Sequence, residues 1–172
     1  MHTHTVETKR LVLRELRNAD VQPLVEMLST PTVMRWLFGS TPMTANEARR
    51  FINENFTFGK QAYGLGVLCT REAERFVGFA GLLSCRYLYE DDFELGFALR
   101  EDSWGKGYAT EIGAAQIEYG FKNFDVRRLL GLAHPRNTAS LHTLEKIGMK
   151  LFKTIHTEER GPRCIYIIKG NT

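Results

Sequence analysis

The chain has 172 residues, 43% of them apolar and 25% charged, and a net charge of +3 at pH 7. That length suits one domain with one good core, and the composition is that of an ordinary soluble globular protein. A positive charge this small and dispersed argues against nucleic-acid binding, and no apolar run approaches the roughly 18 residues of a membrane span. Residues 1–10 contain no apolar segment of the secretory kind. Cys69, Cys85 and Cys164 stand far apart, and the histidines show no metal-ligand spacing. The expectation is a metal-free cytoplasmic protein with incidental thiols.

Residues 10–14 alternate like a first strand. Asp20 is placed to cap a helix in which Val21, Leu24, Val25 and Leu28 share one face, and Thr30-Pro31 ends it. Trp36-Leu37-Phe38-Gly39 reads as an apolar loop. Thr44-Ala45-Asn46-Glu47 forms a capping box for a helix with Ala48, Phe51, Ile52 and Asn55 on one face. Three strands are expected over 63–70, 76–85 and 93–99, the first two joined by the charged turn 71–75. In 93–99, Phe93, Leu95, Phe97 and Leu99 face one way, while Glu94, Gly96 and Ala98 face the other. Small residues opposite a packed face mark a close approach to the backbone.

The run Ser103-Trp104-Gly105-Lys106-Gly107-Tyr108-Ala109 joins that strand to a helix over 110–124 with Tyr108, Ile112, Ala115 and Tyr119 as its stripe. Closely spaced glycines let the backbone turn tightly and approach a ligand without Cβ interference. The helix start adds unpaired N–H groups and a positive dipole end, which together make a cradle for phosphates. The run is neither a Walker loop nor a full dinucleotide fingerprint, and taken alone it is also compatible with a plain helix cap. A strand over 126–133 follows, parallel to 93–99 because a helix connects them. His134-Pro135-Arg136 breaks it. Asn137 can cap a helix carrying Leu141, Leu144 and Ile147, and Gly148 ends that helix. Two last strands, 149–157 and 163–169, are joined by a Gly161-Pro162 turn.

Three stretches, in this order, make the chain similar to the GNAT N-acetyltransferase superfamily. Trp104-Gly105-Lys106-Gly107-Tyr108-Ala109 resembles the family's acetyl-CoA loop. Asn137-Thr138-Ala139-Ser140 with Glu145-Lys146-Ile147-Gly148-Met149 resembles its second signature segment. Thr8-Lys9-Arg10-Leu11-Val12-Leu13-Arg14 resembles the opening of the RimJ/RimL-like branch, which acetylates N-termini of ribosomal proteins. The resemblance implies an α+β fold with a mixed, mostly antiparallel central sheet of about seven strands flanked by about four helices. It implies acetyl-CoA as cosubstrate and a primary amine, a peptide N-terminus or a small amine, as acceptor, in a monomer or homodimer without nucleic-acid or membrane partners. Two positions depart from the family pattern. Trp104 stands where glutamine or arginine is usual, and Leu144 stands where many relatives carry a tyrosine general acid.

The resemblance further assigns residues 104–109, with Thr110 and Asn137, to the cofactor, and pairs the backbone of Phe97 and Leu99 with the pantetheine arm in a strand-like manner. Asn137 is otherwise a plain N-cap. Glu94 is either an exposed strand charge or, by resemblance, a catalytic base or an anchor for the acceptor ammonium. Ser140 is either an ordinary first-turn serine or the donor to the departing thiolate. Trp36 and Phe38 are either ordinary packing or acceptor contacts, and His134 reads as a loop or core histidine. An amine must be neutral to attack a thioester. Deprotonation at pH 7 costs about 4–5 kcal/mol for a lysine-like amine but about 1 kcal/mol for an α-amine. With no obvious histidine base, the less basic amine is favoured. The alternative reading is a non-catalytic acyl-CoA sensor that kept the cradle and lost turnover.

Overall fold

The structure is a computed structural model in which residues 4–170 are described; the first three residues of the polar N-terminal stretch lie outside that range. The elements in chain order are β1 (Val6–Glu7), β2 (Leu11–Arg14), α1 (Val21–Leu28), α2 (Pro31–Met34), α3 (Ala45–Asn55), β3 (Gly64–Thr70), β4 (Phe76–Cys85), β5 (Asp92–Leu99), α4 (Tyr108–Asn123), β6 (Arg128–Ala133), α5 (Thr138–Lys146), β7 (Lys150–Thr157) and β8 (Gly161–Lys169). One eight-stranded sheet runs β1-β2-β3-β4-β5-β6-β8-β7. The expected α+β architecture is present, with one more strand and one more helix than expected. The additions are the two-residue β1 and the single-turn α2, both too short to leave a periodic signal.

Every neighbouring pair is antiparallel except β5–β6. A parallel pair needs a crossover, and α4 supplies it. β5 is paired with β4 along its whole length, but it meets β6 only at Glu94↔Leu130 and Leu95↔Gly131. Beyond Leu95 the two strands splay, so residues 96–99 have no strand partner on that side. This opening positions the site.

Strand alternation sends residues to two layers. Val67, Cys69, Phe79 and Ala98 pack under α1, α2 and α3, with Leu24, Leu28, Met34, Ala48 and Ile52 facing them. Their neighbours Leu68, Ala80 and Leu99 point the other way, onto Ile112 of α4, and Val77 joins them where the β3–β4 register shifts. Each fully buried aliphatic side chain contributes about 1.5–3 kcal/mol, so these stripes hold the helices in place. The α3 capping box forms as expected, with the Glu47 amide donating to Thr44 and the Thr44 amide donating to Glu47.

Two local expectations change. Asp20 does not cap α1; it closes a 3-10 turn, accepts from the Arg17 amide at 2.8 Å and pairs with Arg14 at 2.8 Å. A nearby guanidinium and amide outcompete the helix end for its oxygens. The last hairpin turns at residues 158–160, and Pro162 sits inside β8 opposite His156. Gly161, at φ 67°, opens β8 instead of forming the turn. Among the described residues no helix is long and apolar enough to cross a membrane.

Candidate active site

The splay between β5 and β6 continues into a cleft of about 610 Å³. Phe97, Ala98 and Leu99 form its floor, with Trp104, Gly105, Gly107, Tyr108, Ala109 and Thr110 at one end. Asn137, Ala139, Ser140 and Thr143 of the α5 region form one wall, and Val33, Arg35 and Trp36 at the end of α2 form another. A Cβ built on Gly96 would meet nothing within 4 Å, so the middle of the splay has room for a ligand.

The glycine loop has the conformation that its composition demands. Gly105 at φ 70° and Gly107 at φ 79° both occupy the left-handed region, where a side chain is strained. Gly107 is the N-cap of α4 and offers no side chain to the first turn, so the free N–H groups there remain for a ligand or water. A clamp supports the loop from behind. The Arg10 guanidinium donates to the Lys106 carbonyl at 2.9 Å and pairs with Glu111 of α4 at 2.7 Å. It also lies 4.8 Å from the centre of the Tyr108 ring. Glu111 accepts in addition from the Thr8 hydroxyl at 2.6 Å and the Arg10 amide at 2.8 Å. Burial pushes the Glu111 carboxyl up, but these donors together hold it below its ordinary value.

Lys106 does not line the cleft; what it contributes is the carbonyl that Arg10 holds. Leu99 lines it, but its carbonyl already accepts from the Trp104 indole at 2.8 Å. This bond explains the departure at position 104: the indole ties the loop back to the end of β5.

Asn137 and Ser140 act as a unit on the α5 wall. Asn137 Oδ1 accepts from the Ser140 amide at 3.3 Å, which makes it the N-cap. Its Nδ2 donates to Ser140 Oγ at 2.8 Å. With its oxygen accepting, the Ser140 hydroxyl keeps its own proton free to donate. Leu144 is turned away from the cleft and is 2% exposed. A Cβ on Gly131 of β6 would come within 2.6 Å of Leu144 Cδ2.

Glu94 lies at the apex of the splay but does not line the cleft, and it is 6% exposed. Both its oxygens accept from Arg160 Nη1, at 3.1 and 3.0 Å. Arg160 also donates to the Tyr87 hydroxyl at 2.9 Å. Burial pushes the Glu94 carboxyl up, and Arg160 and then Arg163 offset part of that rise. The pairing partner arrives from the β7–β8 turn, and nothing in the periodicity around Glu94 points to it.

Trp36 lines the cleft and Phe38 does not. Phe38 packs on Phe51, ring centres 4.8 Å apart. Their loop is held from beneath by Arg163 of β8, which is 1% exposed and donates to the Phe38 carbonyl at 3.0 Å and the Trp36 carbonyl at 3.5 Å. His134 packs against Trp36 with ring centres 4.8 Å apart and planes tilted by 33°, and its Nδ1 accepts from the Arg136 amide at 3.1 Å. Burial, then Arg163 and Arg136, push the His134 imidazolium pKa down. Arg10, Glu111, Arg160 and Arg163 went unread in the sequence, since each makes its partnership with residues far away in the chain.

The acetyltransferase (GNAT) domain family matches residues 10–150. An uncharacterised N-acetyltransferase of Bacillus subtilis, YnaD, is 31% identical over 145 residues, 84% of this chain and 82% of that protein. A GNAT-family acetyltransferase from Bacillus anthracis superposes with a TM-score of 0.81 at 25% identity, covering 96% of this chain and 98% of that one. RimL, a ribosomal L7/L12 alpha-N-protein acetyltransferase solved with coenzyme A, superposes with a TM-score of 0.78 at 14% identity, over 96% and 98% of the two chains. At that identity the second likeness speaks for the fold. The chain belongs to the GNAT acetyltransferase domain family and is an acetyl-CoA-dependent N-acetyltransferase.

Proposed function

We propose that the cleft is where this chain moves an acetyl group from acetyl-CoA to a primary amine, and that the amine is the α-amine of a peptide N-terminus. The observation that carries the site assignment is the continuity of an unpartnered stretch of β5 with a left-handed glycine loop and an uncapped helix start. The backbone of Phe97 and Ala98 without a strand partner on the β6 side, and exposed N–H groups at the start of α4, suit an extended polar arm that ends in a pyrophosphate; the Gly96 carbonyl is taken by Gln116 Nε2. The loop and Asn137 bind; Phe97 and Ala98 orient. Acetyl-CoA supplies an acyl thioester that a neutral amine attacks, forming a C–N bond as the C–S bond breaks.

The Ser140 hydroxyl relays a proton: it hands its hydrogen, left free because Asn137 Nδ2 donates to its oxygen, to the departing sulfur and takes up the proton that the attacking nitrogen loses. Glu94 acts as the counter-ion that fixes Arg160 at the apex rather than as the base, since its oxygens already accept from Arg160. Trp36 faces the acceptor, and Phe38 supports Trp36 through their shared loop. The N-terminal reading is supported by the resemblance of residues 8–14 to the opening of the RimJ/RimL-like branch and by the lower cost of deprotonating an α-amine.

The test is Gly107→Val. A β-branched residue at φ 79° is strained, and even a Cβ would lie 3.4 Å from Arg10. Coenzyme A affinity measured by calorimetry should fall at least about tenfold, or about 1.4 kcal/mol. Unchanged affinity in a folded variant would remove the cradle from this loop.

A further inference from the structure

The acceptor side of the cleft holds more positive charge than the fold itself neutralises. At the apex, Arg160 and Arg163 share one carboxylate, Glu94, and protonation of Glu94 would only enlarge the surplus. The Arg163 side chain, 1% exposed, has three backbone carbonyls for company, those of Pro162, Trp36 and Phe38. The register Ala133↔Cys164 brings it beside His134. Above it, two more guanidinium groups lie against the Trp36 ring, Arg35 at 4.8 Å and Arg136 at 6.0 Å from its centre. Among the described residues Arg35, Arg136 and Arg163 form no salt bridge.

Arg163 is the buried cation without a counter-ion, whereas Arg35 and Arg136 are exposed and of the three only Arg35 lines the cleft, so an anion beside Trp36 meets those two directly and Arg163 through its field alone. Elsewhere the fold pairs its half-buried arginines, Arg14 with Asp20 and Arg128 with Asp92, so the surplus is local to this wall. The same field acts on the acceptor amine. Like charge disfavours an ammonium ion and lowers its pKa, so the site helps produce the neutral nucleophile without a dedicated base.

We infer that the acceptor is an anion, an amine carrying a carboxylate such as an acidic amino acid or a peptide with an acidic N-terminal residue, and that Arg35 and Arg136 recognise its carboxylate beside Trp36. This rests on the acetyltransferase reading above. It narrows the acceptor within that reading and excludes polyamines and other polycations.

The experiment compares L-glutamate, an Asp-Ala dipeptide, glycinamide and spermidine as acceptors by thiol release. The acidic pair should exceed spermidine in kcat/KM by at least about tenfold. Arg35→Ala and Arg136→Ala should each raise KM for the acidic pair about fivefold, with a clearly smaller change for glycinamide, which meets these charges only through their field on its amine. A preference for spermidine would overturn the inference, and so would an equal loss with all acceptors. A loss confined to coenzyme A affinity in Arg35→Ala would assign that arginine to the cofactor phosphates, again overturning it. Calorimetry on the coenzyme A-loaded protein keeps the two readings apart should no acceptor turn over. Binding of N-acetyl-L-glutamate but not N1-acetylspermidine, weakened in Arg136→Ala, would still support the charge preference. Equal binding of the two would sink it.

Discussion

The two ends of the cleft are built from different materials. The glycine-loop end is made of backbone: left-handed glycines, free N–H groups of α4, and a carbonyl held by Arg10. Its parts lie within seven consecutive residues, 103–109. The apex end depends on side chains: Trp36 lines the cleft, and Glu94, Arg160 and Arg163 stand behind it, brought from β5 and the β7–β8 hairpin to the loop after α2. A backbone site resists most substitutions except those that add a Cβ at a left-handed position. A side-chain site in a buried setting fails when one charge is removed, because the partner is left without compensation.

The largest expected effect falls at the apex. Among the described residues Glu94→Gln removes the one carboxylate paired at the apex, beside the buried Arg163 and the partly buried Arg160, and should cost about 3 kcal/mol of stability. For a chain of this size that is a drop of about 10 °C in Tm, read by calorimetry. The acid limb of the pH–rate profile should survive in this variant, because the acceptor amine and not Glu94 sets it. An acid limb that vanishes in Glu94→Gln would restore Glu94 as the base.

Next is Ser140→Ala on the α5 wall. Loss of a positioned proton donor should lower kcat about 10²-fold, with coenzyme A affinity nearly unchanged. Near-normal kcat would hand thiolate protonation to solvent.

A smaller effect is expected from Arg10→Met behind the loop. The ion pair with Glu111 is half-exposed, with side-chain exposures of 45% and 18%, so stability should change by less than about 1 kcal/mol. Coenzyme A affinity should fall only about fivefold, through a looser loop. A complete loss would mean that the loop is not the self-sufficient backbone device described here.

The smallest effect concerns pH. His134 has a folded-state pKa below its ordinary 6.5. The stability it contributes is present above that value and is lost as the pH falls through the folded pKa. In His134→Phe, which keeps an aromatic ring against Trp36, the difference in Tm between about pH 7.5 and about pH 5.5 should narrow. An unchanged difference would mean that burial and the Arg163 and Arg136 charges do not depress His134.

Much of the fold was legible because it depends on local rules. Alternation in 93–99, the Thr44–Glu47 capping box and the apolar stripes of α1, α3, α4 and α5 each act within one or two turns, and each is found in the structure. The glycine loop was legible for the same reason: φ above zero is a property of single residues. What escaped was short or remote. β1 and α2 carry too few residues for a period, and Asp20 was claimed by an arginine and an amide over the helix end it was expected to cap.

The sequence by itself determined the order of strands and helices, the parallel crossover through α4, the left-handed loop and the Asn137 cap over Ser140, all set by neighbours close along the chain. Only the tertiary structure decided that Glu94 is buried against Arg160, that Arg163 sits beneath the Trp36 loop without a carboxylate of its own, and that β5 and β6 part after Leu95. Ion pairs across 66 residues and carbonyl contacts across 125 and 127 leave no periodic trace in a chain, because their energy depends on distance in space rather than spacing in sequence.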